Sequence, residues 1–409
     1  MEHLTLQMLV VFVGLLANIG LYCFVSMRYG SWVGPITAWF AIEIPAVFIF
    51  ELAYLSMATN PGSVLGYVVI YSAYFLFALS FVLAYVYSSV PSALVKSFRF
   101  RPATKLAAAT LLFVAVFLYL PIFKLLAQNG FSPRDVYVVT RTGFGLAYFG
   151  SIVAANLFLV VMLFLPVSRW LKIVSFVFCV FFAYLHGSKG HVFVCFFILL
   201  QYFWAVRGLR IGIVRFSLFG LIAVVVAVVL FFLMANGIGF DQIISLMVGY
   251  SDYARNAVML VDSLKDFHYG GVFLEDNLYT RLPRLIFESK PKDFGAFGLA
   301  KQFFPDSFYL DQGVPSFGLG VFYADFWIFI LPVLGVAGAW SGFFAKVFFS
   351  RVRVYKSPSD FVMLCFFCGI GFIPVGGGYL LFEHFFLAVV LFVLCSISAL
   401  RIMPRKFLR

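Results

Sequence analysis

The sequence predicts an all-α polytopic membrane protein with about 11 transmembrane helices, or 12 if 1–63 or 171–206 holds one more. Three observations carry this. Of 409 residues, 64% are hydrophobic and 11% charged, whereas ordinary globular domains are roughly half apolar and a quarter charged. The apolar runs are continuous and rich in Leu, Val and Phe, without β alternation, and in lipid only helices then satisfy every backbone N–H and C=O. Basic residues, finally, gather on alternate connections between the runs. A soluble enzyme, a nucleic-acid binder and a disordered chain are excluded, and the net charge of +12 calls for a membrane reading.

A transmembrane helix needs about 20 mostly apolar residues. By that measure spans are expected near 4–26, 33–57, 65–90, 106–127, 145–165, 171–186, 190–206, 213–236, 318–344, 360–377 and 379–400. The first lacks a basic n-region and a small-residue cleavage site, so no cleavable signal peptide is expected. All six cysteines fall in these spans, and Cys365-Phe-Phe-Cys368 is read as helix packing.

Arg28, Lys96/Arg99/Arg101/Lys105, Arg169/Lys172, Arg207/Arg210/Arg215, Lys346/Arg351/Arg353/Lys356 and Arg401/Arg405/Lys406/Arg409 hold 18 of the 29 Lys and Arg with one acid, Asp360, and so carry +17. The other 11 basic and 16 acidic residues carry −5. The positive-inside rule places the clusters, and the C-terminus, in the cytoplasm and the N-terminus outside. The chain divides into an N-terminal transmembrane bundle (1–236), a large periplasmic loop (237–316) and C-terminal transmembrane helices (317–409). No internal repeat or low-complexity tract is visible.

The loop interrupts the apolar pattern for about 80 residues and holds ten acids, seven Lys/Arg and His268; structureless loops of such length are usually functional. Its start, Tyr253–Leu264, has helical apolar spacing and is expected to end at Tyr269-Gly270-Gly271. Two shorter external connections also carry cations: 132–141, with Arg134 and Arg141 seven apart, and the turn His186-Gly-Ser-Lys-Gly-His191. Arg134, Arg141, Lys189, Arg255, Arg281 and Arg284 thus face outward against the positive-inside bias, and call for an anionic partner.

Leu282-Pro-Arg284, Lys290-Pro291 and Gly318-Leu-Gly-Val-Phe-Tyr-Ala-Asp-Phe326, Arg255 with a Gly fifteen positions on, and the Gly187-Ser-Lys-Gly190 turn together resemble short patterns of the Wzy-type O-antigen (oligosaccharide repeat-unit) polymerases, relatives of the O-antigen ligases. The topology resembles theirs across most of the chain. The resemblance implies a GT-C-like helical fold in the bacterial inner membrane, and a donor glycan on undecaprenyl diphosphate. That glycan would pass to a hydroxyl of an incoming lipid-linked repeat unit. Related ligases work without metal, and no cofactor is implied. Membrane lipid and a chain-length-regulator protein are further expected partners; nucleic acid is not. The loop His that ligases carry before their next span has no counterpart in Pro315–Tyr323, which leaves the general base unassigned.

A lipid diphosphate needs charge neutralisation rather than a proton to depart, and Arg forks match phosphate geometry. Arg255, Arg284 and His268 are the candidate catalytic residues. Lys189, Arg281, Arg134, Arg141 and Lys290 are candidate substrate contacts, with Lys189 joining Arg255 as diphosphate clamp. No Asp-x-Asp occurs, and the Glu275-Asp276 pair is too weak to propose a metal. Candidate bases are His268, Glu275, Asp276, Asp311, Asp325 and Glu51; Glu43 and Glu51 are costly inside a membrane. Each has an ordinary counterpart: a salt bridge from Arg255 to Asp252 or Asp262, interfacial snorkelling of Lys189, a surface role for His268, a bundle hydrogen bond for Glu51. Two alternatives stand beside polymerisation: an O-antigen ligase, and a lipid-linked oligosaccharide transporter or flippase, which usually shows repeated halves. A third is a scaffold for a chain-length regulator.

Overall fold

The computed structural model describes residues 2–58, 61–96, 102–131, 133, 144–187, 189–234, 251–279, 287, 289–291, 293–309, 315–370 and 381–400. Among them every regular element is helical and no strand occurs. Among the described residues six helices are long and apolar enough to cross a membrane: Thr5–Tyr29, Thr37–Leu55, Val64–Tyr87, Lys105–Gln128, Ala147–Phe164 and Gly320–Tyr355. Shorter apolar helices run over Gly190–Val206, Ile213–Ile222, Pro358–Phe367 and His384–Ile397. The chain is thus a multi-pass membrane protein by length and composition.

The chain forms two compact units, one of 1–25, 39–88 and 239–342, the other of 26–38, 89–238 and 343–409. In the first, Ser63 caps the Val64–Tyr87 helix by accepting the Gly66 amide hydrogen at 2.9 Å. That helix buries Tyr67, Ile70, Tyr71 and Tyr74 against Val47, Phe48 and Leu55 of the preceding span. The preceding span is not a uniform α-helix. Pro45 offers no N–H, and Ile44–Ile49 winds as a π turn in which the Phe50 amide bonds back to the Pro45 carbonyl.

The amphipathic helix expected over Tyr253–Leu264 is present as Asp252–Ser263. It ends before the glycine pair because Leu264 turns extended and the chain continues to Tyr269 and Gly270, both at positive φ. Its apolar face, Ala254, Ala257 and Val258, joins the tyrosine cluster of the Val64–Tyr87 helix. Leu260 joins a second cluster with Val272, Leu299, Ala300, Phe317, Val321 and Ala324. The Asp252–Ser263 helix therefore packs in one cluster with three spanning helices, Thr5–Tyr29, Thr37–Leu55 and Val64–Tyr87, and in a second with Gly320–Tyr355.

The span expected at 318–344 runs on to Tyr355 and is broken once, by a 3-10 turn over Trp327–Phe329. Within it Gly338 and Gly342 lie one turn apart and meet the Val64–Tyr87 helix. A Cβ on Gly338 would fall 2.3 Å from the Phe77 carbonyl oxygen, and one on Gly342 would fall 2.2 Å from that of Phe81. Small residues four apart let two membrane helices approach backbone to backbone, where lipid gives no hydrophobic drive for association.

In the second unit, Lys105–Gln128 packs on Gly145–Phe164 through Ala115, Tyr119, Ile122, Tyr148, Ile152 and Ala155. Its one buried ion pair joins Arg351 Nε to Asp360 Oδ1 at 2.6 Å among the described residues. Arg351 also donates to the Leu94 and Val95 carbonyls, so the single acid of the basic clusters is neutralised internally.

Candidate functional site

In the first unit, three elements bring polar groups together where apolar burial alone would leave none. Glu51, fully buried, lies two residues past the π turn and accepts the Tyr67 hydroxyl hydrogen on Oε1 at 2.5 Å. Its Oε2 is buried with no hydrogen-bond partner among the described residues. An unpaired buried carboxylate oxygen is costly, which makes Glu51 a candidate functional group.

Arg255 projects from the Asp252–Ser263 helix, half-buried, with its guanidinium carbon 5.0 Å from the centroid of the Tyr54 ring. The ring face attracts the cation without consuming its N–H donors. Among the described residues Arg255 has no ion pair within 4.0 Å, and its charge bears on both Glu51 and Asp252. Burial pushes the Asp252 carboxyl above the usual carboxylate range, opposed by the Ser316 amide and then by Arg255.

The helix bearing Arg255 is anchored at both ends. Asn256 donates to the Ser316 carbonyl at 2.8 Å. Asp262 accepts the Ser63 amide hydrogen at 2.7 Å on Oδ2 and the Ser63 hydroxyl hydrogen on Oδ1. On the other side of that turn, Gln7 donates from its side-chain amide to the Gly62 carbonyl. Asp262 is thus committed to Ser63, and the alternative role for Arg255, a salt bridge to Asp252 or Asp262, is absent among the described residues.

The remaining acids have other work. Asp325 accepts the Val272 and Phe273 amide hydrogens, at 2.9 and 2.8 Å, at the start of the Gly271–Tyr279 helix. Glu275 and Asp276 accept those of Gly295 and Ala296, at 2.7 and 3.1 Å, where the Ala296–Phe303 helix begins. Carboxylates at helix N-termini satisfy orphan N–H groups and suit the local dipole. Burial, with the charges of Asp325 and Glu275, pushes the Asp276 carboxyl up to about 6 against the Ala296 hydrogen bond. No group of three His, Cys, Asp or Glu side chains comes together among the described residues.

Two curated proteins, from Salmonella typhimurium and Salmonella typhi, are each 32% identical to this chain over 370 residues, covering 90% of either partner, and are named O-antigen polymerase. The chain belongs to the O-antigen polymerase family. No family model matches the sequence, and no solved structure does.

For this member of the O-antigen polymerases, the candidate residues read from sequence distribute as follows. Arg255 enters the Glu51–Tyr67 cluster. His268 is exposed; its backbone N–H donates to the Ala324 carbonyl at 2.9 Å, and its side chain joins neither Arg255 nor Glu51 among the described residues. Lys290 is half-buried, its ammonium 4.9 Å from the Phe294 ring centroid. Lys189 opens the Lys189–Gln201 helix in the second unit, and its side chain lies outside the described residues. Arg134, Arg141, Arg281, Arg284 and Asp311 lie outside them too. Tyr54 and Tyr67 carried no signal in the sequence: nothing sets them apart from the other tyrosines among 21.

His186, in the second unit, is a satisfied buried group. Its ring nitrogens lie 2.7 Å from Ser151 Oγ and 2.7 Å from the Phe182 carbonyl, among the rings of Tyr119, Tyr148 and Phe182.

Proposed function

We propose that this chain polymerises undecaprenyl-diphosphate-linked oligosaccharide repeat units at the periplasmic face of the bacterial inner membrane. In this reading it is a GT-C-class enzyme of about 11 spans, divided as 1–236, 237–316 and 317–409. The middle segment is periplasmic and the C-terminus cytoplasmic. The observation that carries the proposal is Arg255: a half-buried guanidinium held by an aromatic face, with no acid consuming its donors among the described residues.

The chemistry follows from that geometry. The bond between the anomeric carbon of the growing glycan and its diphosphate oxygen breaks, and the electron pair leaves with the diphosphate. A hydroxyl oxygen of the incoming lipid-linked unit forms the new glycosidic bond. Arg255 receives the developing negative charge; one such contact is worth a few kcal/mol in the transition state, on the order of a hundredfold in rate. The hydroxyl proton passes to Glu51 Oε2, the oxygen with no hydrogen-bond partner among the described residues, while Tyr67 fixes Oε1. Arg284, Arg281, Arg134, Arg141, Lys189 and Lys290 hold the second diphosphate or the sugars. The cations supply the charge that a metal would bring, and the reading assigns no metal.

Purified protein incubated with a lipid-linked repeat unit tests the proposal. Wild type is expected to give a ladder of lengthened products, and Arg255→Ala only the starting unit at equal expression. Wild-type chain length in Arg255→Ala would sink the assignment.

A further inference from the structure

The basic clusters of the second unit enclose a cavity of about 250 Å³, lined by Phe164, Leu165, Pro166, Val167, Lys172, Tyr202, Val206, Arg207 and Lys356. Its polar side chains are three cations and one phenol. Lys172 Nζ and the Arg207 guanidinium carbon each lie 5.8 Å from the centroid of the same Tyr202 ring, and the charge of Arg207 bears on Lys172. Like charges near one ring repel, and an anion bound between them would offset that repulsion. Among the described residues no carboxylate lies within 4.0 Å of any of the three. The one acid of these clusters, Asp360, is fully buried against Arg351. Lys172 spends one donor on the Leu163 carbonyl at 2.5 Å, leaving two N–H groups for a ligand.

A second observation concerns the backbone. Lys356 follows the Ile330–Tyr355 helix with φ +48, the left-handed conformation that helix ends ordinarily give to glycine. A lysine there is unfavourable for the fold, and it lines the cavity. The remaining side chains of the lining, those of Phe164, Leu165, Pro166, Val167 and Val206, are apolar. Cations around one aromatic ring, with apolar side chains beside them, match a phosphate carrying a hydrocarbon substituent better than a free ion.

We infer that this cavity binds the phosphodiester headgroup of an anionic membrane phospholipid, with Lys172, Arg207 and Lys356 around the phosphate and the apolar rim along its glycerol. This site is separate from the proposed chemistry at Arg255 and does not depend on it.

Native mass spectrometry of the full chain in detergent provides the test, with phosphatidylglycerol, phosphatidylcholine and inorganic phosphate as probes. Wild type is expected to retain phosphatidylglycerol over phosphatidylcholine by at least about tenfold. The double variant Arg207→Gln/Lys356→Gly removes two charges and relieves the left-handed lysine, so it should melt no lower than wild type. It should lose most of that preference, since two charges near an anionic headgroup account for on the order of thirtyfold. A preference that survives in the double variant overturns the inference, as does wild type without preference. Inorganic phosphate that displaces the lipid at millimolar concentration would overturn it in favour of a free-anion site. Single variants Lys172→Gln and Lys356→Gly, read by the same ratio, keep the test decisive if the double variant fails to fold.

Discussion

If Glu51 takes the proton of the attacking hydroxyl, Glu51→Gln should nearly stop polymerisation without unfolding the protein. Glutamine keeps Oε1, so the 2.5 Å hydrogen bond from Tyr67 survives. It replaces Oε2, which has no partner among the described residues, with an amide nitrogen that accepts no proton. A positioned general base contributes roughly 10² to 10⁴ in rate, about 3 to 5 kcal/mol on the barrier. The fold loses a buried charge and no hydrogen bond but gains a buried NH2 without a described acceptor, two effects that oppose each other, so the melting temperature should change little. The assay is the initial rate of ladder formation with purified variant and lipid-linked repeat unit, beside a melting curve in the same detergent. The loss should fall on kcat with KM nearly unchanged. Tyr67→Phe removes one hydrogen bond to a charged group, about 1.5 to 3 kcal/mol, and should give a partial loss. Turnover of Glu51→Gln within threefold of wild type, in folded protein, would refute the assignment.

Asp325→Ala should lower the melting temperature, because two amides at the start of the Gly271–Tyr279 helix lose their acceptors at about 1 to 2 kcal/mol. The rate per folded molecule should be unchanged; a hundredfold loss would make Asp325 the base instead. Asp276 has a folded-state pKa raised above its unfolded one, so its contribution favours folding below about pH 4 and is lost as pH rises through about 6. Asp276→Asn, which keeps the acceptor for Ala296, should therefore stabilise the loop at pH 7.5. The gain is about 2 kcal/mol after allowance for partial exposure, shrinking towards pH 4; urea melts at the two pH values measure it, and a gain independent of pH would contradict this. Gly338→Ala drives a methyl into the Phe77 carbonyl and should cost about 1 to 3 kcal/mol, read as lowered thermal stability; an unchanged melt would show that the helices do not approach that closely.

Most of the helical framework was legible because lipid imposes one rule on every span: a long unbroken apolar run with its backbone satisfied internally. The amphipathic start of the loop was equally legible, since Ala254, Ala257, Val258 and Leu260 recur at helical spacing. Arg255 stood out as a cation on that helix. The carboxylates were harder to sort. Asp325 caps a helix 53 residues earlier in the chain and Asp262 binds Ser63 199 residues away. No local pattern records either contact. Glu51 was conspicuous as a charge in a span, but its partnership with Tyr67 depends on how two helices face each other. The left-handed Lys356 is likewise invisible in a one-dimensional reading, which notes its charge and not its backbone.

The π turn at Ile44–Ile49 sets the angular phase of everything after it. Each residue advances an α-helix by about 100°, so the extra residue in that turn decides which azimuth Glu51 occupies. Ile49, two positions earlier, is 48% exposed, whereas Glu51 is 0%. Removing a single residue between 44 and 49 would swing the carboxylate roughly a quarter turn from Tyr67. Such a deletion would keep the composition and hydropathy of the span almost intact and still misdirect its only acid beyond the π turn.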